Sequence, residues 1–520
     1  MTPPLRLTLA TMATITGLLL GNPTAATPFE LSEASISSVH IALQTREISC
    51  RSLVDQYLYR IHAFDQSTRL NALVTVNPDA THDADRLDAN FKHSGKLKPL
   101  HCVPVIVKDN YETRGLQTTG GSLALKGWLP ETDATMVARL RTAGAVILAK
   151  SNMAEWAFSP YLTESSIAGI TRNPYNLEHV PAGSSGGTAA AIAANFGLVG
   201  LGTDTGNSIR GPSSHNALVG LRPTLGLTSR HGIVPLFVHN DIGGPMTRSV
   251  TDAATVLNVI AGYDPADPLT ARSGGHIPAD YRRFLTRNGL VGVRIGVFRR
   301  YVDSETGDSE IRVLTERAIT DLRAAGAEIV DPFGINNFEA LTKNLWCGDF
   351  ESDLNQYLAA RPNAPVHSLS DIYRSGLYLP HNESELKQAL GPPAIDERRA
   401  PCSDVWNDTP KIAFRDVLTT AMTAAHVDVI IYPTWSNSPR RVGDNDSPPG
   451  DNSQILSPQT GWPAITVPMG YTHTTLPAGL TFFGPAYSEG LLLRYAYAYE
   501  QATHHRKPPD GFGLAKRTGP

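Results

Sequence analysis

Between residues 182 and 212 two glycine-dense, hydroxyl-bearing turns flank a run of alanines. The first reads Ala182-Gly183-Ser184-Ser185-Gly186-Gly187-Thr188 and the second Gly202-Thr203-Asp204-Thr205-Gly206-Asn207-Ser208-Ile209-Arg210-Gly211-Pro212. Glycine weakens regular helix and strand by roughly 0.5–1 kcal/mol relative to alanine, so this density marks backbone that must bend or approach something closely. The segment between the turns predicts an alanine helix over 188–195, able to pack tightly, and a strand over 196–202 that delivers Thr203 to Ser208 at its C-terminal end. Glycine-rich backbone can aim consecutive N–H groups into one spot. A serine in such a turn can face that spot, as a nucleophile beside an oxyanion hole requires. Ser184 and Ser208, 24 residues apart, are the two candidates.

A base is available upstream. His101-Cys102-Val103-Pro104-Val105-Ile106-Val107-Lys108-Asp109-Asn110 ends an apolar β-type run on a lysine. An ammonium at the end of a buried strand is costly to desolvate, which lowers its pKa. Neutral Lys108 could then take a proton from a serine, as histidine does in other triads. The alternative is a lysine that reaches solvent or pairs with Asp109. The glycine–serine turns favour the catalytic role.

These segments together resemble the amidase signature family. The resemblance is carried by Pro104-Val105-Ile106-Val107-Lys108-Asp109-Asn110 with Thr118-Thr119-Gly120-Gly121-Ser122, by both glycine–serine turns, by Gly220-Leu221-Arg222-Pro223-Thr224 and Gly243-Gly244-Pro245-Met246, and by Gly461-Trp462-Pro463-Ala464-Ile465-Thr466-Val467-Pro468. It extends from about residue 30 to about residue 507 and is weakest between 270 and 425. The resemblance implies one compact α/β domain with a mixed, mainly parallel β-sheet surrounded by helices. It also implies an amidase acting on carboxamide-type C–N bonds through a Lys108, Ser184, Ser208 triad. Ser208 would form the acyl-enzyme, and Ser184, preceded by a cis peptide bond, would relay its proton to Lys108. Backbone N–H groups of Thr205, Gly206, Asn207 and Ser208 would form the oxyanion hole. Ala157, Phe158 and Gly183 would contact substrate, and the variable segment at about 334–425 would help form the entrance. No cofactor or metal is implied, and the partner is a small-molecule amide, ester or carbamate. Similar sequences also serve as the amidase component of tRNA-dependent amidotransferases, a cytosolic role.

Asn207 stands where the family most often has glycine. Asparagine tolerates positive φ better than most residues, so the turn can form, with the side chain expected to crowd or hydrogen-bond something near the nucleophile. Two rival functions follow from the same residues. A binding protein of this fold that lost turnover would owe the loss to Asn207. Gly183-Ser184-Ser185-Gly186-Gly187 also satisfies G-x-S-x-G, the elbow of α/β-hydrolase esterases, with Ser185 as nucleophile. That elbow must follow a buried strand, whereas 173–181 holds two prolines and no strand pattern. Ser185 is therefore expected to brace the turn.

Other chemistries lack their motifs: there is no G-x-x-x-x-G-K-[ST], H-E-x-x-H or paired C-x-x-C. His231 and His239 lie near the motif region as pocket-mouth or solvated loop residues, and His504-His505 reads as a polar helix end. With 41% hydrophobic and 18% charged residues and a net charge of −4, the chain suits a large buried core and shows no basic patch for nucleic acid. Residues 1–26 read as a secretory leader: Arg6, an apolar stretch over 7–20, and cleavage expected after Ala26. A secreted hydrolase domain over 27–520, without a membrane span, is the expectation. Cys50, Cys102, Cys347 and Cys402 allow three pairings; Cys50–Cys102 with Cys347–Cys402 is the favoured set, against four buried thiols. Asn382, Asn407 and Asn445 begin glycosylation sequons.

Periodicity predicts two helices within 35–64, strands at 103–107, 145–149, 294–298, 328–329 and 427–432, and a helix over 133–143. Within the mostly helical 334–425 segment, Trp346, Phe350, Leu354, Tyr357 and Leu358 form a core-facing stripe. Residues 436–453 read as a long surface loop. Arg210 is expected to form a buried ion pair with Asp204 or a neighbour rather than to clamp a substrate carboxylate.

Overall fold

The computed structural model describes Met1, Pro4 and residues 29–391 and 402–512; apart from Met1 and Pro4, the leader lies outside the described residues. The strands are β1 (Leu73–Val76), β2 (Pro104–Lys108), β3 (Val146–Ser151), β4 (Glu164–Ser165), β5 (Gly169–Ile170), β6 (Val199–Asp204), β7 (Val219–Arg222), β8 (Ile242–Thr247), β9 (Arg294–Val297), β10 (Glu328–Val330), β11 (Val429–Pro433), β12 (Ala464–Thr472) and β13 (Leu476–Phe483). Eleven form one sheet in the order β1-β3-β2-β6-β8-β7-β12-β13-β11-β9-β10, and β4 and β5 make a separate pair. The expected single α/β domain with a mixed sheet and surrounding helices is present.

The parallel character read from the βα alternation is confined to two blocks. β3, β2 and β6 run parallel, as do β11, β9 and β10. Between them the pairings are antiparallel. A three-residue turn joins β12 to β13, and only antiparallel neighbours can be connected so tightly. Its first two residues, His473 and Thr474, have φ of 45° and 74°.

Element boundaries moved where side chains were needed elsewhere. The helix at the first turn spans Gly186–Ala193 and the following strand starts at Val199. Asn195 takes φ 60°, and the Phe196 N–H closes the helix on the Ala191 carbonyl at 2.8 Å, so 195–198 are spent on that ending. Every residue of this helix is buried. Its small side chains let it lie directly on the sheet: a Cβ at Gly200 would collide with Thr188 Cγ2, and one at Gly197 would come 2.6 Å from Ile106 Cγ1. β2 runs one residue later than expected, making Lys108 its last, fully buried member.

The variable segment contributes helices at Phe338–Thr342, Phe350–Ala359, Leu369–Ser375, Glu383–Ala389 and Thr409–Ala424. Phe350, Leu354, Tyr357 and Leu358 bury into a satellite core with Leu125, Trp128, Trp156 and Val234. Trp346 does not join that stripe; it precedes the helix and stays 36% exposed. Glu155 fastens this layer to the body, accepting from Leu379 N at 2.7 Å and from Asn382 Nδ2 at 2.8 Å. Asn382 is consequently buried, with its amide engaged rather than presented for glycosylation. The structure pairs Cys50 with Cys102 and Cys347 with Cys402, the favoured set. No described helix is long and apolar enough to cross a membrane.

Candidate active site

Lys108 leaves β2 beneath the two glycine turns. Its Nζ lies 2.7 Å from Ser184 Oγ and 2.7 Å from Thr203 Oγ1, and Asn110 Nδ2 donates to the same threonine oxygen at 3.0 Å. All four side chains are buried. Burial pushes the Lys108 ammonium down to about 7, against the opposing pull of Asp241 and Asp204. Asp109 does not pair with it. That carboxylate faces Lys150 Nζ at 3.3 Å, and Lys150 also donates to the Tyr111 carbonyl at 2.7 Å and Thr118 Oγ1 at 2.8 Å. A second buried lysine thus absorbs the neighbouring acid and leaves Lys108 among hydroxyls.

The Gly183–Ser184 peptide is cis. Ser185 is buried and clips the two turns together: its Oγ donates to the Thr203 carbonyl at 3.1 Å and lies 3.3 Å from the Thr203 N–H. The residues before it form turns rather than a strand, so the context of an esterase elbow is absent here. The glycines serve close approach rather than left-handed backbone. None of Gly183, Gly186, Gly187, Gly202 and Gly206 has positive φ. A Cβ at Gly187 would strike the Asn152 carbonyl, and one at Gly183 would strike the Leu162 and Ser159 carbonyls. The space beside Gly183 where a Cβ would stand is therefore taken by the 159–162 backbone.

Ser208 ends the turn that follows β6 and is 5% exposed. No hydrogen bond joins it to Ser184 among the described residues; catalytic hydrogen bonds are often long without substrate and tighten in the reacting complex. The backbone N–H groups of Gly206, Asn207 and Ser208 donate to no described residue, which leaves three donors in one turn for an oxyanion. The turn is braced from behind. Asp204 accepts from Arg210 Nε at 3.1 Å, from Arg222 Nη1 at 3.0 Å and from Ile209 N at 3.2 Å. Arg210 Nη2 reaches the Gly206 carbonyl at 2.7 Å. Burial alone would raise the Asp204 carboxyl, but the two guanidiniums outweigh it and hold it below its usual value. Thr205 is tied through its hydroxyl to Asp241. The Asp204–Arg210 pair is the one read from sequence; Thr203, Asn110, Arg222 and Asp241 were missed. Thr203, Asn110 and Arg222 had a signal, since each stands in a segment that carries the family resemblance; Asp241 had none.

Of the two roles expected of the Asn207 side chain, it shows crowding and not hydrogen bonding. It lacks positive φ, and its amide is fully buried without a hydrogen-bond partner among the described residues. The amide fills the space where a Cβ on Gly211 would stand, so the extra atoms press on the following helix, Arg210–His215. Gly211→Ala is therefore expected to destabilise the protein by about 1–3 kcal/mol through overpacking, while Asn207→Gly/Gly211→Ala recovers most of the loss. A thermal double-mutant cycle measures this coupling; additive effects would contradict the contact.

Ala157 ends and Phe158 caps the 3-10 turn Glu155–Ala157, where Trp156 and Ala157 have φ of 54° and 62°. The Phe158 ring stacks edge-on against Phe350 at 4.9 Å. His231 Nδ1 lies 3.3 Å from Thr135 Oγ1, and neither His231 nor His239 hydrogen-bonds Lys108, Ser184 or Ser208. His504 ends the helix Glu489–Thr503 in left-handed conformation.

A large α/β domain that buries a lysine against a serine below a turn of unpaired N–H groups is built for acyl chemistry. The family model described as Amidase matches residues 52–493, and the chain belongs to that family. It is an amidase, a hydrolase acting on carbon–nitrogen bonds. The crystal structure of native peptide amidase from Stenotrophomonas maltophilia superposes with a TM-score of 0.80 at 37% identity, covering 94% of this chain and 100% of that one. A probable amidase of Arabidopsis thaliana is 34% identical over 92% of both chains. A glutamyl-tRNA(Gln) amidotransferase component from Geotalea daltonii is 35% identical over 92% of this chain and 99% of its own.

Proposed function

We infer that the protein is a secreted amidase whose Ser208 forms an acyl-enzyme on carboxamides, with Ser184 and Lys108 relaying the proton. The observation that carries this reading is the 2.7 Å approach of buried Lys108 Nζ to Ser184 Oγ. Neutral Lys108 accepts the Ser184 proton as Ser184 takes that of Ser208, and Ser208 Oγ attacks the carbonyl carbon. The tetrahedral oxyanion is received by the N–H groups of Gly206, Asn207 and Ser208, with Thr205 completing the turn; each such donor is worth about 10²–10³ in rate. Collapse breaks the C–N bond, the departing amine takes its proton back from Lys108 through Ser184, and water releases the acid by the reverse relay. Esters, anilides and carbamates pass through the same acyl or carbamoyl intermediate. Similarity to peptide amidase makes C-terminal peptide amides the first substrate class to assay.

The mature protein, beginning after Ala26, is to be treated with a fluorophosphonate and mapped by mass spectrometry. It is then assayed on a peptide amide, a fatty amide, an aryl amide, an aryl carbamate and a p-nitrophenyl ester. Label on Ser208 with turnover of a C–N substrate is the expected result. Label on Ser185 with ester turnover alone would instead favour the esterase mechanism. No label and no turnover would favour a binding protein. Recovery of the chain from cells with residues 1–26 still attached and no exported form would contradict secretion.

A further inference from the structure

Trp346 is large, apolar and 36% exposed, although the aromatic residue four positions later is buried. It belongs to an irregular stretch between the helices Phe338–Thr342 and Phe350–Ala359. Its Cη2 comes 3.1 Å from the position of a Cβ on Gly206, so the indole stands directly over the turn that carries the three unpaired N–H groups. Phe237, itself partly buried, lies beside it at 6.4 Å and 56°. The same Cβ position on Gly206 is blocked from another direction by Gln454 Oε1, whose amide is oriented by a 2.6 Å bond from Nε2 to Asp451. A side chain at position 206, two residues before Ser208, would collide with this rim.

The stretch that carries Trp346 is neither helix nor strand, so its position is set by what it is fastened to. Its next residue, Cys347, is joined to Cys402, and the chain after Cys402 is locked into the body. Val405 is fully buried in a cluster with Leu225 and Ile242. Its Cγ2 would come 2.5 Å from a Cβ on Gly461. Trp406 lies between the Arg272 and Arg415 guanidiniums, 5.0 Å from each. Gly348 completes the fixation, since a Cβ there would strike the Phe237 ring. The disulfide therefore works as a strut that sets an aromatic side chain at the reacting turn.

We propose that Trp346, with Phe237 beside it and the Cys347–Cys402 bond holding it in place, is the apolar wall for the acyl side chain of the substrate, and that the enzyme selects carboxamides whose acyl group carries an aromatic or large aliphatic side chain. This rests on the carboxamide reading above and adds the substrate's shape. On a primary amide, the class that the test uses, the wall can serve only the acyl side, because the released ammonia has no apolar surface to bury. Aromatic rings at centroid separations of about 4.5–7 Å gain from edge-to-face or offset contact beyond the area they bury, and pocket contacts of this kind discriminate by about 10–200-fold.

The test compares kcat and KM for N-acetyl-phenylalaninamide and N-acetyl-glycinamide in the wild type, Trp346→Ala, Trp346→Phe and Cys347→Ser/Cys402→Ser. Trp346→Ala is expected to lower kcat/KM on the phenylalanine amide by about 10-fold, chiefly through KM, with the glycine amide changed less than about twofold. Trp346→Phe should restore most of the preference, and the double cysteine variant should lose it in the same direction. Equal loss on both substrates without rescue by phenylalanine, or an unchanged ratio, overturns the proposal. A wild type that hydrolyses neither amide overturns the carboxamide reading itself, an outcome separate from any change of ratio.

Discussion

Ser208→Ala is expected to lower kcat/KM toward a carboxamide by about 10⁴-fold or more, the scale seen when a nucleophile is removed from a relay that acts as a unit. Lys108→Met should cost a comparable factor. The double variant should be little worse than either alone, because the second loss removes a step that no longer occurs. The residual rate measures binding and the N–H groups of Gly206 and Asn207, which both variants keep. The wild-type pH profile tests the same relay from another side. Lys108 works as a base only when neutral, and burial pushes its pKa down to about 7. Log kcat/KM is therefore expected to rise by about one unit per pH unit below 7 and to level off above it. Protonation at lower pH removes the acceptor, which gives the sign. A flat profile from pH 5 to pH 9, or a Ser208→Ala enzyme within tenfold of the wild type, would sink the relay.

The second large effect concerns Asp204, the anchor behind the nucleophile turn. Asp204→Leu leaves Arg210 and Arg222 buried with no carboxylate, and breaking a buried pair from one side typically costs about 3–5 kcal/mol. Unfolding entropy of about 2.1 cal mol⁻¹ K⁻¹ per residue is large for a chain of this length, so Tm falls by only about 3–5 °C. Activity should fall more steeply. Asp204 also receives the Ile209 N–H at 3.2 Å, and its loss frees the turn on which the oxyanion donors depend. Asp204→Asn keeps the shape and one acceptor and should lie between the two in both measurements. A thermal melt of Asp204→Leu that overlays the wild type would show that Asp204 does not anchor the turn.

Much of the site could be read from local residue types. A glycine-dense turn with a serine, repeated after an alanine helix, announces backbone that packs closely and offers N–H groups. A lysine ending a β-branched run announces a buried amine. A buried ion pair for Arg210, two residues after Ser208, was expected with Asp204 or a neighbour, and Asp204 is the partner. The β12–β13 hairpin was not seen, because its strands are buried on both faces and lack the alternation that marks a half-exposed strand. That Asn207 presses on Gly211, and that the Leu162 and Ser159 carbonyls fill the space beside Gly183, was not legible for a related reason. A turn sequence tells which backbone is short of side chains without telling what fills the space.

The chemistry on offer was legible along the chain: two serines, one strand-terminal lysine and a turn with few side chains, in an order that marks the family. How that chemistry is set depends on packing between distant segments. Lys150, 42 positions after Lys108, takes up Asp109, so that Lys108 faces Ser184 and Thr203 with no carboxylate in direct contact. Trp346, 140 positions beyond Gly206, is brought over the nucleophile turn beside a disulfide. The reason is physical. Hydroxyls, amines and glycines are properties of a residue, whereas desolvation, partner choice and the shape of a pocket belong to the segments packed around it, and those come from distant parts of the chain.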